Sequence, residues 1–466
     1  MCKISGNTVT SVVGFTGGAG LPRILLTTRC RDSGLYDYFR ENAPRNFRWR
    51  FAMPRTISFG LRFLRQNLPQ LEILEYPTRA EFSAQLKRGW DAVGFSFYLE
   101  ETNDILAMAA EARQAGIREL WAGNYGALTP SIRTHFDDVF TGYSEDALGQ
   151  KLGTRLDEIQ HPPLVTRFRL PGGWSFPLGV LFSSRGCSFR CTFCQTTAFA
   201  PKPKEISLAA LDRVLQFYVQ HGIHFVLLLD ENFGNLPSHA DAVIELLARH
   251  RVRWLVQSRV DLLLRNFNDW RRCGMEGALF GIESFHQDIL KQMHKSEKVE
   301  AAFELAERLN CAGLYAQGYY IIGLPPETPE SIAEDLRTLA SLKLDVTQIT
   351  IVTPHPETQM WHELDSGYGI FEKDWSKFDT KHLVWNHPNC APGVLESLLE
   401  QGFQACYEKD WLPRTTKKFL SMRKAQKDLS SVLLGPVRSR WASSARLPYF
   451  AGQALSTDQQ VRSGVA

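Results

Sequence analysis

Three of the chain's nine cysteines, Cys187, Cys191 and Cys194, fall inside SSRGCSFRCTFCQ (183–195) with the spacing Cys-x3-Cys-x2-Cys. Thiolates this close on one loop converge on a point, and two chemistries use them. A structural zinc site closes with four ligands, as two separated Cys pairs or as Cys with His. Here no fourth Cys or His follows until His221, beyond a helical stretch. An iron–sulfur cluster held by three thiolates keeps one iron open for a ligand from outside the protein. The missing fourth ligand favours a [4Fe–4S] cluster, with zinc as the alternative.

Elements that position such a loop are legible around it. From Pro177 onward, short apolar runs at 178–183, 224–230, 253–258, 278–283, 316–322 and 346–352 alternate with segments of helical period at 207–221, 238–250, 264–274, 296–312 and 328–342. Six strand–helix units predict an open or partial barrel, whose chemistry sits on the loops after each strand. Cys187, Asp230, Arg259, Glu283, Gly323 and Pro354 all fall there. Ahead of it, the runs 23–28, 71–76, 91–97, 119–124 and 138–145 and a helix over 105–116 predict a parallel sheet covered by helices. Such sheets bind ligands at the carboxyl ends of their strands.

The expected class is therefore α/β. A flexible leader (1–20) precedes a Rossmann-like domain (21–160), a Pro/Gly-rich linker (161–176), a partial barrel (177–385) and a helical, basic C-terminal extension (386–466) with a disordered end. Thr328, followed by Pro329, reads as the cap of the helix after the fifth strand.

The loop RGCSFRCTFC resembles the cluster-binding loop of the radical S-adenosylmethionine (SAM) superfamily, and further segments match that family in order. They are LLLDENF (227–233), QSRVD (257–261), FGIES (280–284) with LKQMHK (290–295), GYYIIGLPPETPESI (318–332) and TPHPET (353–358). The resemblance covers about 177–360. The Rossmann-like half, WAGNYGALTP and FDDVFTGYSED resemble the cobalamin-binding-domain subfamily. DWSKFDTKHLVWNHPN (374–389) is similar to the branch containing the anaerobic magnesium-protoporphyrin ester cyclase and hopanoid methylases. Two departures stand out: Gly123-Asn124-Tyr125-Gly126 replaces a Gly-Gly turn, and no Asp-x-His-x-x-Gly cobalt-ligand motif follows the first strand.

The resemblance implies an enzyme that cleaves SAM reductively to a 5′-deoxyadenosyl radical, with the cofactor doing the hard chemistry. It implies cobalamin-dependent methylation of an unactivated carbon; a non-methylating cyclase, oxidase or rearrangement enzyme of tetrapyrrole or lipid type, with a cobalamin-free N-terminal domain, is the alternative. A zinc-stabilised RNA- or membrane-binding protein is a remoter one. Cys187, Cys191 and Cys194 would hold the cluster, with Phe193 beside the adenine. Asp230, Glu231 and Asn232 would meet the SAM ammonium, and Arg259 its carboxylate. Glu283 and Ser284 would bond the ribose or the methionine end, and the turn Gly323-Leu324-Pro325 would approach the adenine. Ser96, Gly123, Tyr125, Gly142 and Glu145 would line a cobalamin site. Tyr319, His355 and Trp361 are candidates for a substrate pocket.

Bulk composition agrees. A net charge of +3 over 466 residues excludes a generally nucleic-acid-binding surface, and no apolar run approaches a membrane span. The N-terminal stretch has no apolar core typical of a signal peptide. The other six cysteines are scattered singly, as expected in a reducing cytoplasm. Expected partners are a one-electron donor such as flavodoxin or ferredoxin and a small-molecule substrate, lipid or tetrapyrrole. The basic stretch 412–446 suggests peripheral membrane contact.

Overall fold

The computed structural model describes residues 22–31, 57–169, 175–408 and 410–424; the expected leader lies outside them. The first sheet consists of β1 (Ile24–Thr27), β2 (Leu71–Leu74), β3 (Ala92–Ser96), β4 (Glu119–Gly123) and β5 (Asp138–Val139), parallel and ordered β2-β1-β3-β4-β5. Side chains alternate across a strand, so neighbouring residues feed two separate cores. Leu25, Val93, Phe95 and Leu120 pack with Ile105 and Met108 on one face. Ile24, Leu26, Ala92 and Trp121 pack with Leu61 and Leu148 on the other. The chain reverses its direction of progress at β1 and β3, the switch point where doubly wound sheets bind ligands.

Helices beyond the one expected cover this sheet. Phe59–Asn67 starts where Ser58 accepts from the Leu61 amide, and Arg79–Leu86 starts at a reciprocal Thr78/Glu81 capping box. The run 138–145 is strand only over β5, because Phe140 onward turns to enter the helix Glu145–Lys151.

The second sheet contains β6 (Val165–Arg169), β7 (Ser175–Leu181), β10 (Phe225–Leu228), β11 (Arg253–Gln257), β12 (Met275–Glu283), β13 (Tyr315–Ile322) and β14 (Val346–Ile351), ordered β14-β13-β12-β11-β10-β7-β6. β7 and β10 to β14 run parallel, giving the partial (β/α)6 barrel. Its connecting helices are Leu208–Gln220, Pro237–Arg249, Val260–Arg272, Val299–Cys311 and Pro329–Ser341. The stretch 161–176 is more than a linker: β6 pairs antiparallel with β7, Val165 opposite Gly179, and closes that edge of the sheet. A short ribbon of β8 (Ser184–Arg185) and β9 (Lys204–Glu205) clasps the ends of the cysteine loop.

The C-terminal extension is helical, as expected, over Val394–Cys406 and Trp411–Lys424. Its basic part docks on the barrel: Trp411 and Phe419 are buried, and Lys418 Nζ lies 2.7 Å from the fully buried Asp345 carboxylate. The face of this helix that carries Trp411, Lys418 and Phe419 is thus committed to the barrel, and 425–446 lie outside the described residues. No helix among the described residues is long and apolar enough to cross a membrane.

Candidate active site

The cysteine loop leaves β8 through Gly186, whose φ of +88° suits glycine and where a Cβ would stand 2.7 Å from the carbonyls of Ala200 and Lys202. The loop returns through the helix Thr196–Phe199. It is held by Cys187 N–H donating to Ala200 O (3.0 Å) and Thr192 N–H donating to Met293 O (3.1 Å). Cys187, Cys191 and Cys194 are unpaired with one another and half-buried. All three line one cavity of about 530 Å³ at the mouth of the barrel. Burial pushes all three thiols up, Cys191 to about 11, so loading metal must displace protons. No group of three His, Cys, Asp or Glu among the described residues could hold a single ion.

Opposite the cysteines, the ends of β10, β11 and β12 supply charge. Glu231 lines the cavity and accepts from the Gly186 amide (2.9 Å) and the Tyr143 hydroxyl. Asn232 also lines it; its Oδ1 accepts from Arg259 N–H at 3.1 Å, while its Nδ2 is buried without a hydrogen-bond partner. Arg259 lies over Phe189, 4.2 Å from the ring centre, and its Nε pairs with Asp261 at 3.1 Å. One of its terminal nitrogens, Nη2, is buried without a hydrogen bond, 3.5 Å from Glu297. Glu283 ends β12 at φ +62°, a conformation uncommon outside glycine, and its carboxylate turns back to Lys295 Nζ at 2.9 Å.

Lys295 and Glu297 were not assigned a role from the sequence. Lys295 is 4% exposed and also meets Gly281 O (2.7 Å) and Glu297 (3.2 Å). Burial works against its charge, but Glu283 and Glu297 hold its pKa above the usual lysine value. Lys295 is the last residue of LKQMHK and Glu297 lies two beyond it, and that position is their only sequence signal; charged loop residues are ordinarily solvated. With Asp261 and Glu231 counted, carboxylates outnumber Arg259 and Lys295 here, and the unbonded donors of Asn232, Arg259 and Gln195 are the site's spare capacity.

Several expected residues lie elsewhere. Asp230 does not line the cavity: it is 1% exposed and accepts four hydrogen bonds, from the amides and hydroxyls of Ser183 and Ser184, at 2.6–2.9 Å. Burial pushes its pKa up to about 6. It braces the strand that leads into the cysteine loop. Ser284 is buried outside the cavity, its hydroxyl accepting from His286 N–H. The turn Gly323-Leu324-Pro325 is roofed by the C-terminal extension: a Cβ on Gly323 would lie 2.6 Å from Leu395, and the carbonyls of Leu324 and Pro325 accept from His387 and Asn389. Tyr319 and Ile321, earlier on β13, face the cavity instead, with Phe193 and His355. Trp361 packs against Trp375 and Phe378 rather than into it.

A second cavity, of about 420 Å³, opens at the carboxyl ends of the first sheet. Ser96, Gly123, Tyr125, Gly142 and Glu145 all line it, with Thr28 after β1. Tyr98, Tyr125, Glu231 and Gln257 border both cavities. Tyr125 stacks on Phe199, ring centres 4.2 Å apart, and its hydroxyl lies 3.2 Å from Thr196 of the cysteine loop. Gly142 has φ +81°, and a Cβ there would come 2.9 Å from Phe199 O. The two halves meet through contacts this close.

Residues 181–339 match the family model of the radical SAM superfamily, so the chain carries a radical SAM domain. The donor set fits what that domain binds: three free half-buried thiols for a [4Fe–4S] cluster, and in the same cavity the unbonded donors of Asn232, Arg259 and Gln195 with the Glu231 carboxylate for SAM. Among curated proteins, an uncharacterized methyltransferase of Pyrococcus horikoshii is 27% identical over 241 residues, covering 50% of this chain; the chain spans 51% of that relative's length. The bacteriochlorophyllide d C-8(2)-methyltransferase of Chlorobaculum tepidum is 24% identical over 366 residues, 70% of this chain and 80% of that one. Among solved structures, the radical SAM methyltransferase TsrM of Kitasatospora setae, with cobalamin and a [4Fe–4S] cluster bound, shares the fold at TM-score 0.55 and 15% identity, over 74% of this chain and 75% of that one.

Proposed function

We propose that this enzyme is a cobalamin-dependent radical SAM methyltransferase acting on a small-molecule substrate. The observation that carries the reading is the pair of cavities sharing Tyr98, Tyr125, Glu231 and Gln257, one holding the three cysteines and the other the carboxyl ends of the Rossmann-like sheet. The names of the matched methyltransferases and the cobalamin in the TsrM structure support it.

In this reading Cys187, Cys191 and Cys194 hold the cluster, and Glu231 accepts from the SAM ammonium. Asn232 Nδ2 and Arg259 Nη2 donate to its carboxylate, a charge-assisted pairing. Phe193 and Ile321 pack beside the adenine. When bound, the cluster and SAM supply reductive cleavage to a carbon-centred radical, and the corrinoid supplies the methyl group. Glu283, held by Lys295, orients the ribose side, and Tyr319 and His355 face the substrate. Burial lowers the His355 pKa to about 4 and leaves its Nδ1 unbonded, so it offers a neutral imidazole. Ser96, Gly123, Tyr125 and Gly142 border the corrinoid. No histidine lines that cavity among the described residues, and the chain's first histidine is His135, so no imidazole from 1–134 ligates cobalt. The electron comes from a carrier such as flavodoxin or ferredoxin.

The test is anaerobic reconstitution with iron, sulfide and hydroxocobalamin. One corrinoid per chain and formation of S-adenosylhomocysteine alongside 5′-deoxyadenosine are expected. 5′-Deoxyadenosine alone, with no corrinoid retained, would establish the non-methylating alternative.

A further inference from the structure

Arg185 stands two residues before Cys187, yet its side chain leaves the barrel. Its Nη1 pairs with Glu145 Oε1 at 2.7 Å, with both side chains about 5% exposed. Its guanidinium carbon lies 3.8 Å from the Phe63 ring centre and 4.6 Å from that of Tyr143. Phe63 belongs to the helix Phe59–Asn67, and Tyr143 and Glu145 follow β5, so these contacts all come from the Rossmann-like half. The next residue is tied to that half through the barrel: Gly186 N–H donates to Glu231, which also accepts from the Tyr143 hydroxyl. Tyr143, Glu145 and Glu231 also line the cavity at the end of the first sheet.

The other polar contacts across the seam are exposed or neutral, and the aromatic contacts of Phe59 and Phe63 with Phe182 and of Tyr125 and Tyr143 with Phe199 carry no charge. Lys204–Asp146 and Asn103–Asp374 are exposed, and Tyr125–Thr196 is neutral; exposed pairs contribute little. A buried ion pair, by contrast, is a poor source of net stability, since its desolvation offsets its attraction, but it is well suited to fixing one arrangement among several. Arginine adds a planar fork and ring stacking that a lysine lacks.

We propose that Arg185 and Glu145 are a positioning pair that fixes the cysteine loop, and so the cluster, relative to the occupant of the N-terminal cavity. Glu145, assigned from the sequence to that occupant, has its carboxylate engaged by Arg185 instead. The proposal rests on the corrinoid reading above and assigns neither residue a bond to substrate.

The experiment loads the full chain with cluster and hydroxocobalamin, reduces both centres to their paramagnetic states, and reads the magnetic splitting between them by electron paramagnetic resonance. The wild type should give one resolved splitting. The double variant Arg185→Met/Glu145→Leu, which leaves no unpaired buried charge, should keep iron, corrinoid and circular dichroism but lose that splitting to a broad distribution. A wild-type splitting in the loaded double variant overturns the proposal. If the double variant does not load, Arg185→Lys is read instead, with the same broadening expected and an unchanged splitting overturning the idea. A wild type that binds no corrinoid refutes the proposed function, and this inference with it.

Discussion

Asp230→Ala separates a bracing role from a SAM-binding one. The carboxylate accepts from two backbone amides and two hydroxyls and is sealed from solvent. Hydroxyls can rotate to new partners, but the amides of Ser183 and Ser184 cannot, and each buried donor left unpaired costs about 1–3 kcal/mol. The expected loss is therefore about 2–6 kcal/mol, or roughly 4–24 °C in melting temperature for a domain of this size. The pH dependence has a fixed sign. Burial raises the folded pKa from the usual aspartate range to about 6, so the contribution of Asp230 is complete below about pH 4 and declines as pH rises through 6. The deficit of the Ala variant should shrink by about 1–1.5 kcal/mol between pH 5 and pH 8. Thermal melts of metal-free protein across that range read both quantities, and equilibrium dialysis reads SAM binding after reconstitution. A variant that melts like wild type but binds SAM at least tenfold more weakly would refute the reasoning and return Asp230 to the SAM site.

Three further outcomes follow from the same geometry. Glu231→Gln keeps an acceptor for the Gly186 amide and turns its NH2 to the Tyr143 hydroxyl, which can accept, but removes the charge facing the cavity, so SAM affinity should fall about tenfold or more with iron content unchanged, as a lost charge-assisted bond predicts; calorimetric titration checks it. Lys418→Ala leaves the Asp345 carboxylate, fully buried, without its closest cation, and should cost about 3–5 kcal/mol by the usual penalty for breaking such a pair, seen in thermal melts, while SAM affinity is retained. Gly142→Ala must accommodate φ +81° and a contact 2.9 Å from Phe199 O, so it should lower the melting temperature and weaken retained corrinoid, both measured on the reconstituted protein.

The sequence exposes the barrel because each parallel strand is a near-continuous apolar run followed by a polar residue at its carboxyl end. The three cysteines are legible for a similar reason: their spacing alone restricts the chemistry. What stays hidden depends on direction and distance. Asp230 and Glu231 are adjacent at a strand end, so they point opposite ways, and nothing local says which faces the cavity. Gly323-Leu324-Pro325 appears open until His387, Asn389 and Leu395, more than sixty residues later, close over it. Lys295 and Glu297 read as ordinary surface charges because their burial comes from partners on other loops. The Pro and Gly of 161–176 suggest a linker, although β6 between them needs only five residues to pair with β7.

The most direct test of the account is to reconstitute wild type and the single variants Cys187→Ala, Cys191→Ala and Cys194→Ala anaerobically, then measure iron, sulfide and 5′-deoxyadenosine released from SAM on the same samples. Wild type should carry about four irons per chain, as a cubane held by three thiolates requires, and should release the nucleoside under reduction, whereas each variant should lose both. Iron and nucleoside release that survive in any one of the three would contradict it.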